Sequence, residues 1–319
     1  VAVNLPGLAH DPVTLSAALA AIGIGNGLVN VAMNAQAAQL EQLYRRPIMS
    51  GFHAFFSIGG AIAAVLSAVL TSSGANLSAR FGVACSIALL LTAFTARRLL
   101  PPGVSPVSDP GIATGPENGA VDQGAPRASS TTAVVALLAA IALMMMLTEG
   151  AAGDWSSMHA VQFLGVSPAS AALTYGTFAL AMTAGRLTAD RVVEHTSPTA
   201  LVRGGALVAC AGFVLVILSP HLILAATGWA LAGLGLAGIV PQLITAAGLV
   251  PGPYPERRLA TVVSTGYLGL LAGPAIIGFL ADATDLRLAL VLAPVLCVIT
   301  AFAAGRAVRT ARPEPSRTC

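Results

Sequence analysis

Long apolar stretches dominate this chain and decide what it can fold into. An α-helix needs about 18 to 25 apolar residues to cross the ~30 Å hydrocarbon core of a bilayer. Only 9% of the 319 residues are charged, against about 25% in soluble domains, so the chain cannot cover these stretches with a charged surface. The sequence therefore predicts an all-α polytopic membrane protein. Its nine predicted spans are about 13–36, 51–71, 79–99, 132–152, 168–187, 199–218, 221–247, 259–281 and 286–308.

A proline-rich segment divides the predicted spans into two groups. Residues 101–131 contain six prolines and many Gly, Ser and Ala residues, a composition typical of disordered linkers. Three spans precede the segment, within residues 1–100, and six follow it, within 132–308. The predicted organisation is therefore a three-helix N-terminal part, a disordered cytoplasmic linker, a six-helix C-terminal half and a cytoplasmic tail at 309–319.

The placement of arginine predicts the orientation. All sixteen basic residues are arginines. If nine spans end at a cytoplasmic C-terminus, every arginine except Arg80 and Arg287 lies on or near the inner side. Positive residues accumulate in cytoplasmic loops, so the sequence predicts a multi-pass protein of the plasma (inner) membrane with its C-terminus in the cytoplasm.

A tight charge cluster separates the fifth and sixth predicted spans. The segment GRLTADRVVE (185–194) holds four charged residues, which burial in hydrocarbon would strongly disfavour. Its Gly-Arg-x-x-x-Asp-Arg spacing resembles the loop between the second and third helices of each half in the major facilitator superfamily of transporters. Further segments extend the resemblance to a bacterial inner-membrane branch of that superfamily: NVAMNAQ (30–36), RRPIMSGFHAFFSIGG (45–60), EGAAGDWS (149–156) and GYLGLLAGPAIIGFLAD (266–282).

The resemblance implies a fold of two six-helix halves. A weak similarity between 23–37 and 233–247, six spans apart, agrees with parallel repeats. The superfamily usually has twelve transmembrane helices, so the nine predicted here would be helices 4–12. The expectation is an N-terminally truncated chain, either a fragment or the product of a shortened gene.

The resemblance also assigns a gating role to the charge cluster. In the family this loop braces one of the two access states, which implies close helix packing at Gly185. Asp190 would either accept hydrogen bonds from a neighbouring helix N-terminus or pair with an arginine. Arg186 and Arg191 would contact carboxylates or lipid headgroups. A solvated turn that follows the distribution of positive charge remains the alternative for this gating loop.

A polar stripe marks the first span. Asn26, Asn30 and Asn34 recur every four residues and lie on one helical face, which must find polar partners inside the bundle. The resemblance makes this the fourth helix of the family, which lines the substrate path; hydrogen bonding between helices without solute contact is the alternative. Gln36 and Glu41, near the inner end, are expected to be interfacial. The predicted substrate cavity comprises Asn26, Asn30, Asn34, Tyr175, Gln242 and Tyr267.

Two titratable residues are candidates for proton coupling. Glu149 is the only carboxylate inside an apolar run, and an acid within the membrane suggests function, although hydration at the interface would also explain it. His53 is the second candidate, because an unperturbed imidazole titrates near neutral pH, and a structural histidine is the alternative. Trp155 is expected to be an interfacial anchor.

The function predicted from these residues is secondary active transport of a small solute by alternating access, coupled to protons or another ion. The alternative is a non-transporting membrane protein, either a sensor or an inactive truncated remnant. No metalloprotease, nucleophile-elbow or phosphate-loop motif is present, so the sequence predicts no enzyme, no cofactor and no metal site. The expected partners are a small-molecule solute and membrane lipid, without nucleic acid, and the pattern does not indicate an oligomeric state.

Overall fold

The computed structural model describes residues 5, 9–97, 128–251 and 254–310. Helices connected by short turns make up nearly all of these residues, as the composition predicts. They are α1 (Pro12–Tyr44), α2 (Met49–Ser72), α3 (Leu77–Ala96), α4 (Ala128–Leu164), α5 (Pro168–His195), α6 (Pro198–Leu218), α7 (Leu222–Leu236), α8 (Ile239–Leu249), α9 (Pro255–Ala283), α10 (Leu286–Leu290) and α11 (Leu292–Thr310).

Seven helical stretches of the described chain are long and apolar enough to cross a membrane. Two of them are broken rods, because α7 and α8 run together over Leu222–Leu249 and α10 and α11 over Leu286–Val308. Helices α2 and α5 are not among the seven, so the predicted count of nine spans is not confirmed. The five unbroken stretches among the seven are Pro12–Tyr44, Ser78–Ala96, Thr131–Leu164, Pro198–Leu218 and Pro255–Ala283.

The predicted gating loop is helical. Helix α5 continues from Pro168 to His195, and residues 185–194 form its last turns. The expectation of an irregular loop at this place was wrong. Gly185 is the weakest helix former of the segment, and the Arg, Leu, Ala and Glu residues that follow it favour a helix.

Most of the predicted linker lies outside the described residues. Helix α4 begins at Ala128, so the last four residues assigned to the linker, 128–131, are helical. At the other end of the chain, α11 extends to Thr310, and the rest of the predicted tail is again outside the described part. The domain boundaries otherwise remain predictions.

Side chains cap several helix starts. Asp11 accepts hydrogen bonds from the backbone N–H groups of Val13 and Thr14, both at 2.9 Å, and Thr14 completes a capping box. The backbone and side-chain hydrogen bonds from Thr14 lower the pKa of the Asp11 carboxyl. Helix α2 differs, because Ile48 precedes it and has no polar group to satisfy the free N–H groups of its first turn.

Glycines allow close helix packing in the C-terminal part. A Cβ atom at Gly150 of α4 would collide with the backbone of Leu270 in α9, and one at Gly269 of α9 with the backbone of Leu143 in α4. Helices α6 and α7 meet in the same way at Gly212. Small residues at such contacts let backbones approach and gain van der Waals energy where lipid supplies no hydrophobic driving force.

Trp155 has a different environment from the one expected. Its indole N–H donates a hydrogen bond to the carbonyl of Pro274 at 3.0 Å, so it joins α4 to α9. Pro274 lies inside α9 and cannot donate to the preceding turn. Trp155 therefore makes a contact between helices, and its role as an interfacial anchor stays a prediction.

The described cysteines are free thiols. Cys85, Cys210 and Cys297 form no disulfide, and all three are at least partly buried. Cys319 lies beyond the described residues. A group of three or more His, Cys, Asp or Glu side chains able to hold a metal is absent from the ranges that the structure covers.

Two neighbouring glycines of α4 test this packing. We expect Gly150→Ala to lower the thermal stability of the purified protein, because overpacking against the Leu270 backbone costs about 1–3 kcal/mol. Gly153→Ala is the matched control, since nothing lies within 4 Å of a Cβ at Gly153. Equal melting temperatures for the two variants, measured in detergent, would contradict the close contact.

Candidate functional site

Asp190 binds the start of a neighbouring helix. Its Oδ1 accepts a hydrogen bond from the backbone N–H of Ser50 at 3.1 Å, and its Oδ2 accepts one from Gly51 at 2.8 Å. Both donors belong to the first turn of α2, where N–H groups have no partner within the helix and a carboxylate is favoured by the helix dipole. The hydrogen bonds expected from the sequence resemblance are thus present, and they join α5 to α2.

Glu41 binds the same helix start from the other side. Its Oε1 accepts hydrogen bonds from the backbone N–H groups of Ile48 at 3.0 Å and Met49 at 3.4 Å. Its Oε2 accepts the Thr245 hydroxyl of α8 at 2.5 Å. Glu41 is 7% exposed, so it is buried among the helices, a role that the expectation of an interfacial position did not include. We call Glu41, Asp190 and the first turn of α2 the α2 cap.

Arg186 connects three helices at the next level of the bundle. One guanidinium nitrogen lies 2.9 Å from Oε1 of Glu149 in α4 and forms an ion pair. The other donates to the Ser57 hydroxyl of α2 at 2.5 Å. Both charged side chains are largely buried, at 10% and 21% exposed, and removing one partner of a buried pair is strongly destabilising. We call these three residues the Arg186 bridge.

The asparagine stripe forms a hydrogen-bonded ladder. The amide of Asn30 donates to the backbone carbonyl of Asn26 at 2.9 Å and to its side-chain oxygen at 3.0 Å. Asn34 donates to the carbonyl of Asn30 at 2.8 Å, and its own side-chain oxygen lies 3.2 Å from Nε2 of His53. The Tyr267 hydroxyl of α9 donates to Oδ1 of Asn30 at 2.5 Å. The ladder therefore joins α1 to α2 and α9.

These contacts form two layers across the same boundary. On one side are α1 and α2, and on the other are α4, α5, α8 and α9. The α2 cap is the first layer. The second layer contains the Arg186 bridge and the Tyr267–Asn30 hydrogen bond. The two layers are about 10 Å apart along α2, because Ser57 follows Ser50 by seven residues and an α-helix rises 1.5 Å per residue.

Three predicted residues lie apart from these layers. Tyr175 is 48% exposed, and the described residues show no hydrogen bond from its hydroxyl. Arg191 is exposed. Gln242 is buried and lines a cavity beside Glu41 and Thr245. Gly185 packs as expected, since a Cβ there would lie 2.6 Å from the Cβ of Ala237 in α7.

Sequence reasoning missed Ser57, Thr245 and the role of Glu41. One signal was available for Glu41, because a helix that follows Ile48 has no cap of its own and must receive an acceptor from elsewhere. Ser57 and Thr245 carry no such signal. They are ordinary hydroxyl residues in apolar helices, and only the three-dimensional contact distinguishes them.

The family model of the Major Facilitator Superfamily matches residues 1–265 and 137–318. The chain belongs to the major facilitator superfamily. An uncharacterized MFS-type transporter of Yersinia pestis is 33% identical over 302 residues, which cover 94% of this chain and 74% of that protein. The uncharacterized transporter y4wD of Sinorhizobium fredii is 31% identical over 95% of this chain and 77% of its own length. The protein is thus a membrane transporter of this superfamily, whose members bind small-molecule solutes, and not an enzyme.

Solved structures show the same fold. FucP in its outward conformation superimposes on this chain with a TM-score of 0.69 at 15% sequence identity. The aligned region covers 93% of this chain and 77% of the FucP chain. A variant of the E. coli fucose:proton symporter FucP gives 0.66 at 16% identity, with the same coverage. At this identity the similarity shows the fold alone.

A double-mutant cycle tests the contact between the ladder and α9. We expect Tyr267→Phe and Asn30→Leu to be non-additive in the free energy of unfolding, with a coupling of about 0.5–2 kcal/mol, the range for hydrogen bonds between membrane helices. The control cycle pairs Asn30→Leu with Tyr175→Phe, which we expect to be additive. Additivity in both cycles would exclude the Tyr267–Asn30 bond.

Proposed function

We propose that this protein is a secondary active transporter that moves a small solute by alternating access, driven by a proton or other ion gradient. The observation that carries the proposal is the pair of contact layers, which join helices of the N-terminal part to helices of the C-terminal half at one end of the bundle. Each contact is a hydrogen bond that can break and reform as the two parts move. We further propose that the protein is a multi-pass component of the plasma (inner) membrane, with this end and the C-terminus in the cytoplasm.

The α2 cap is the proposed gate. Asp190 and Thr245 approach it from the C-terminal half, so the two parts cannot separate at this end without losing their bonds. Gly185 allows α5 to lie close to α7, and Arg186 adds the second layer. Arg191 is exposed and suits a contact with lipid headgroups. A state that is closed here agrees with the likeness to FucP in its outward conformation, and the distribution of arginine supports a cytoplasmic gate.

The Arg186 bridge is the proposed coupling element. When Glu149 is ionised, it shares the guanidinium of Arg186 with Ser57 of α2. When Glu149 takes up a proton, the ion pair is lost, and Arg186 is left as a buried charge that must find another acceptor. Proton binding and the contact between the two parts therefore depend on one side chain. His53 is the second candidate and acts through its hydrogen bond to Asn34.

The proposed solute path follows the polar side chains above the gate. Asn26, Asn30 and Tyr267 offer amide and hydroxyl groups, which suit neutral polar solutes, and Tyr175 is accessible for contact. Asn34 and Gln242 complete the proposed lining. The sparse charge in the helices argues against a highly charged solute. A non-transporting protein is the outcome that the first experiment below would reveal.

Uptake into proteoliposomes with an imposed pH gradient tests transport and coupling together. The solutes are radiolabelled neutral sugars, polyols and amino acids. We expect Glu149→Gln to lower gradient-driven accumulation at least tenfold while exchange of internal for external solute continues, because exchange needs no net proton movement. Asp154→Asn is the control, since Asp154 is an exposed carboxylate on the same helix. No uptake of any solute by the unsubstituted protein would favour a sensor or remnant.

Hydrogen exchange tests the gate without a known solute. We expect Asp190→Asn to speed amide exchange at Ser50 and Gly51, because one of their two acceptor oxygens becomes an amide donor. Glu194→Gln removes an exposed carboxylate one turn later on α5 and should leave exchange unchanged. Mass spectrometry of peptides that begin before Pro47 and contain Ser50 and Gly51 makes the comparison. Identical exchange in both variants would show that Asp190 does not hold α2.

A further inference from the structure

A small cavity lies beside the α2 cap, and of the residues proposed to line the solute path only Gln242 lines it. It measures about 220 Å³, and its walls come from the end of α1 and the following turn on one side and from α5 and α8 on the other. The residues that matter for its chemistry are Glu41, Arg45, Arg46, Gln242 and Thr245. Because the walls belong to both parts of the protein, the cavity exists in this form only while the gate is closed.

The charge of the cavity is positive. Arg45 and Arg46 are both exposed, and neither forms an ion pair with any residue in the described ranges. Glu41 is the one carboxylate in the lining, and both of its oxygens already accept hydrogen bonds from Ile48, Met49 and Thr245. The lining therefore contains two arginines and one carboxylate whose oxygens are already hydrogen-bonded, a balance of charge that favours an anion.

Gln242 supplies an unused donor in the same cavity. It is 2% exposed, and its amide nitrogen has no hydrogen-bond partner. A buried amide that lacks a partner is unfavourable. Rotation of the Gln242 amide group would turn its nitrogen toward the cavity, where an acceptor would remove that cost. This donor is independent of the two arginines, since it lies on α8 and belongs to the other part of the molecule.

We propose that this cavity binds a phosphate group and that the bound phosphate holds the gate closed. A guanidinium matches phosphate oxygens with two parallel hydrogen bonds, and the Gln242 amide supplies a third donor from across the boundary. The cavity has several times the ~30 Å³ share of one water molecule, enough for a phosphate with a short substituent. Both a phospholipid headgroup and a free phosphate present this chemistry. Binding does not require transport, but its effect on the gate rests on the proposed function.

Thermal unfolding of the purified full chain tests the site. In detergent, we compare sodium phosphate with sodium chloride at equal ionic strength. In nanodiscs, we compare phosphatidylglycerol with phosphatidylcholine alone. A ligand that binds only the folded state raises the melting temperature, and we expect a rise of about 2–5 °C. A rise with inorganic phosphate indicates a free anion as ligand, and a rise with phosphatidylglycerol alone indicates a lipid headgroup.

Three substitutions make the test specific to the cavity. Arg45→Gly is the most informative, because Arg45 has φ 52°, a left-handed conformation that glycine adopts without strain. It removes a guanidinium without threatening the fold. We expect Arg45→Gly, Arg46→Gln and Gln242→Leu each to abolish most of the rise. Arg203→Gln, an exposed arginine outside the cavity, should keep it.

Several results would overturn the proposal. They are no rise with either phosphate source, a full rise in both Arg45→Gly and Gln242→Leu, or an equal loss in Arg203→Gln, which would indicate general charge screening. The outcome is separable from that of the transport assay. A protein that takes up no solute but is stabilised by phosphate through Arg45 would retain the site and lose the proposed function.

Discussion

The free N–H groups at the start of α2 are the constraint on which the site depends. A helix start leaves four such groups, and burial without acceptors costs free energy at each. Ile48 cannot provide an acceptor, so Glu41 accepts from two groups and Asp190 from the next two. One carboxylate comes from the same part of the protein as α2 and the other from the opposite part. The need of one helix for a cap thus becomes a contact between the two parts.

The Arg186 bridge likewise provides partners for buried charges and joins the two parts of the protein. In low-dielectric surroundings, an arginine without a partner is far more costly than one on a surface, so Arg186 is held by Glu149 and Ser57 together. A change in the charge of Glu149 would therefore alter the hydrogen bond to Ser57 of α2, because the same guanidinium group contacts both residues. Glycine-mediated packing of α4 on α9 keeps the pair in place and supports Tyr267, which contacts the asparagine ladder from α9.

The sequence was most informative where a physical rule acts locally. Apolar length predicted the helices, and four-residue spacing predicted the Asn26, Asn30 and Asn34 face. The resemblance led to the Asp190 contact with a helix start. The charge cluster was expected as a loop yet is helical, because local propensity outweighed its polarity. Thr245 and Ser57 were not predictable, since their importance depends on partners more than a hundred residues away. Gating, coupling and solute contact remain predictions.

Because the α2 cap is divided between two parts of the protein, separation of these parts would expose some of its N–H groups to water. When Asp190 withdraws, Glu41 can still hold Ile48 and Met49, but Ser50 and Gly51 lose their acceptor and must be hydrated. If the proposed gate opens in this way, opening takes up the water molecules that hydrate Ser50 and Gly51. The equilibrium between the two states should then respond to osmotic stress: solutes too large to enter the gate would lower water activity and favour the closed form.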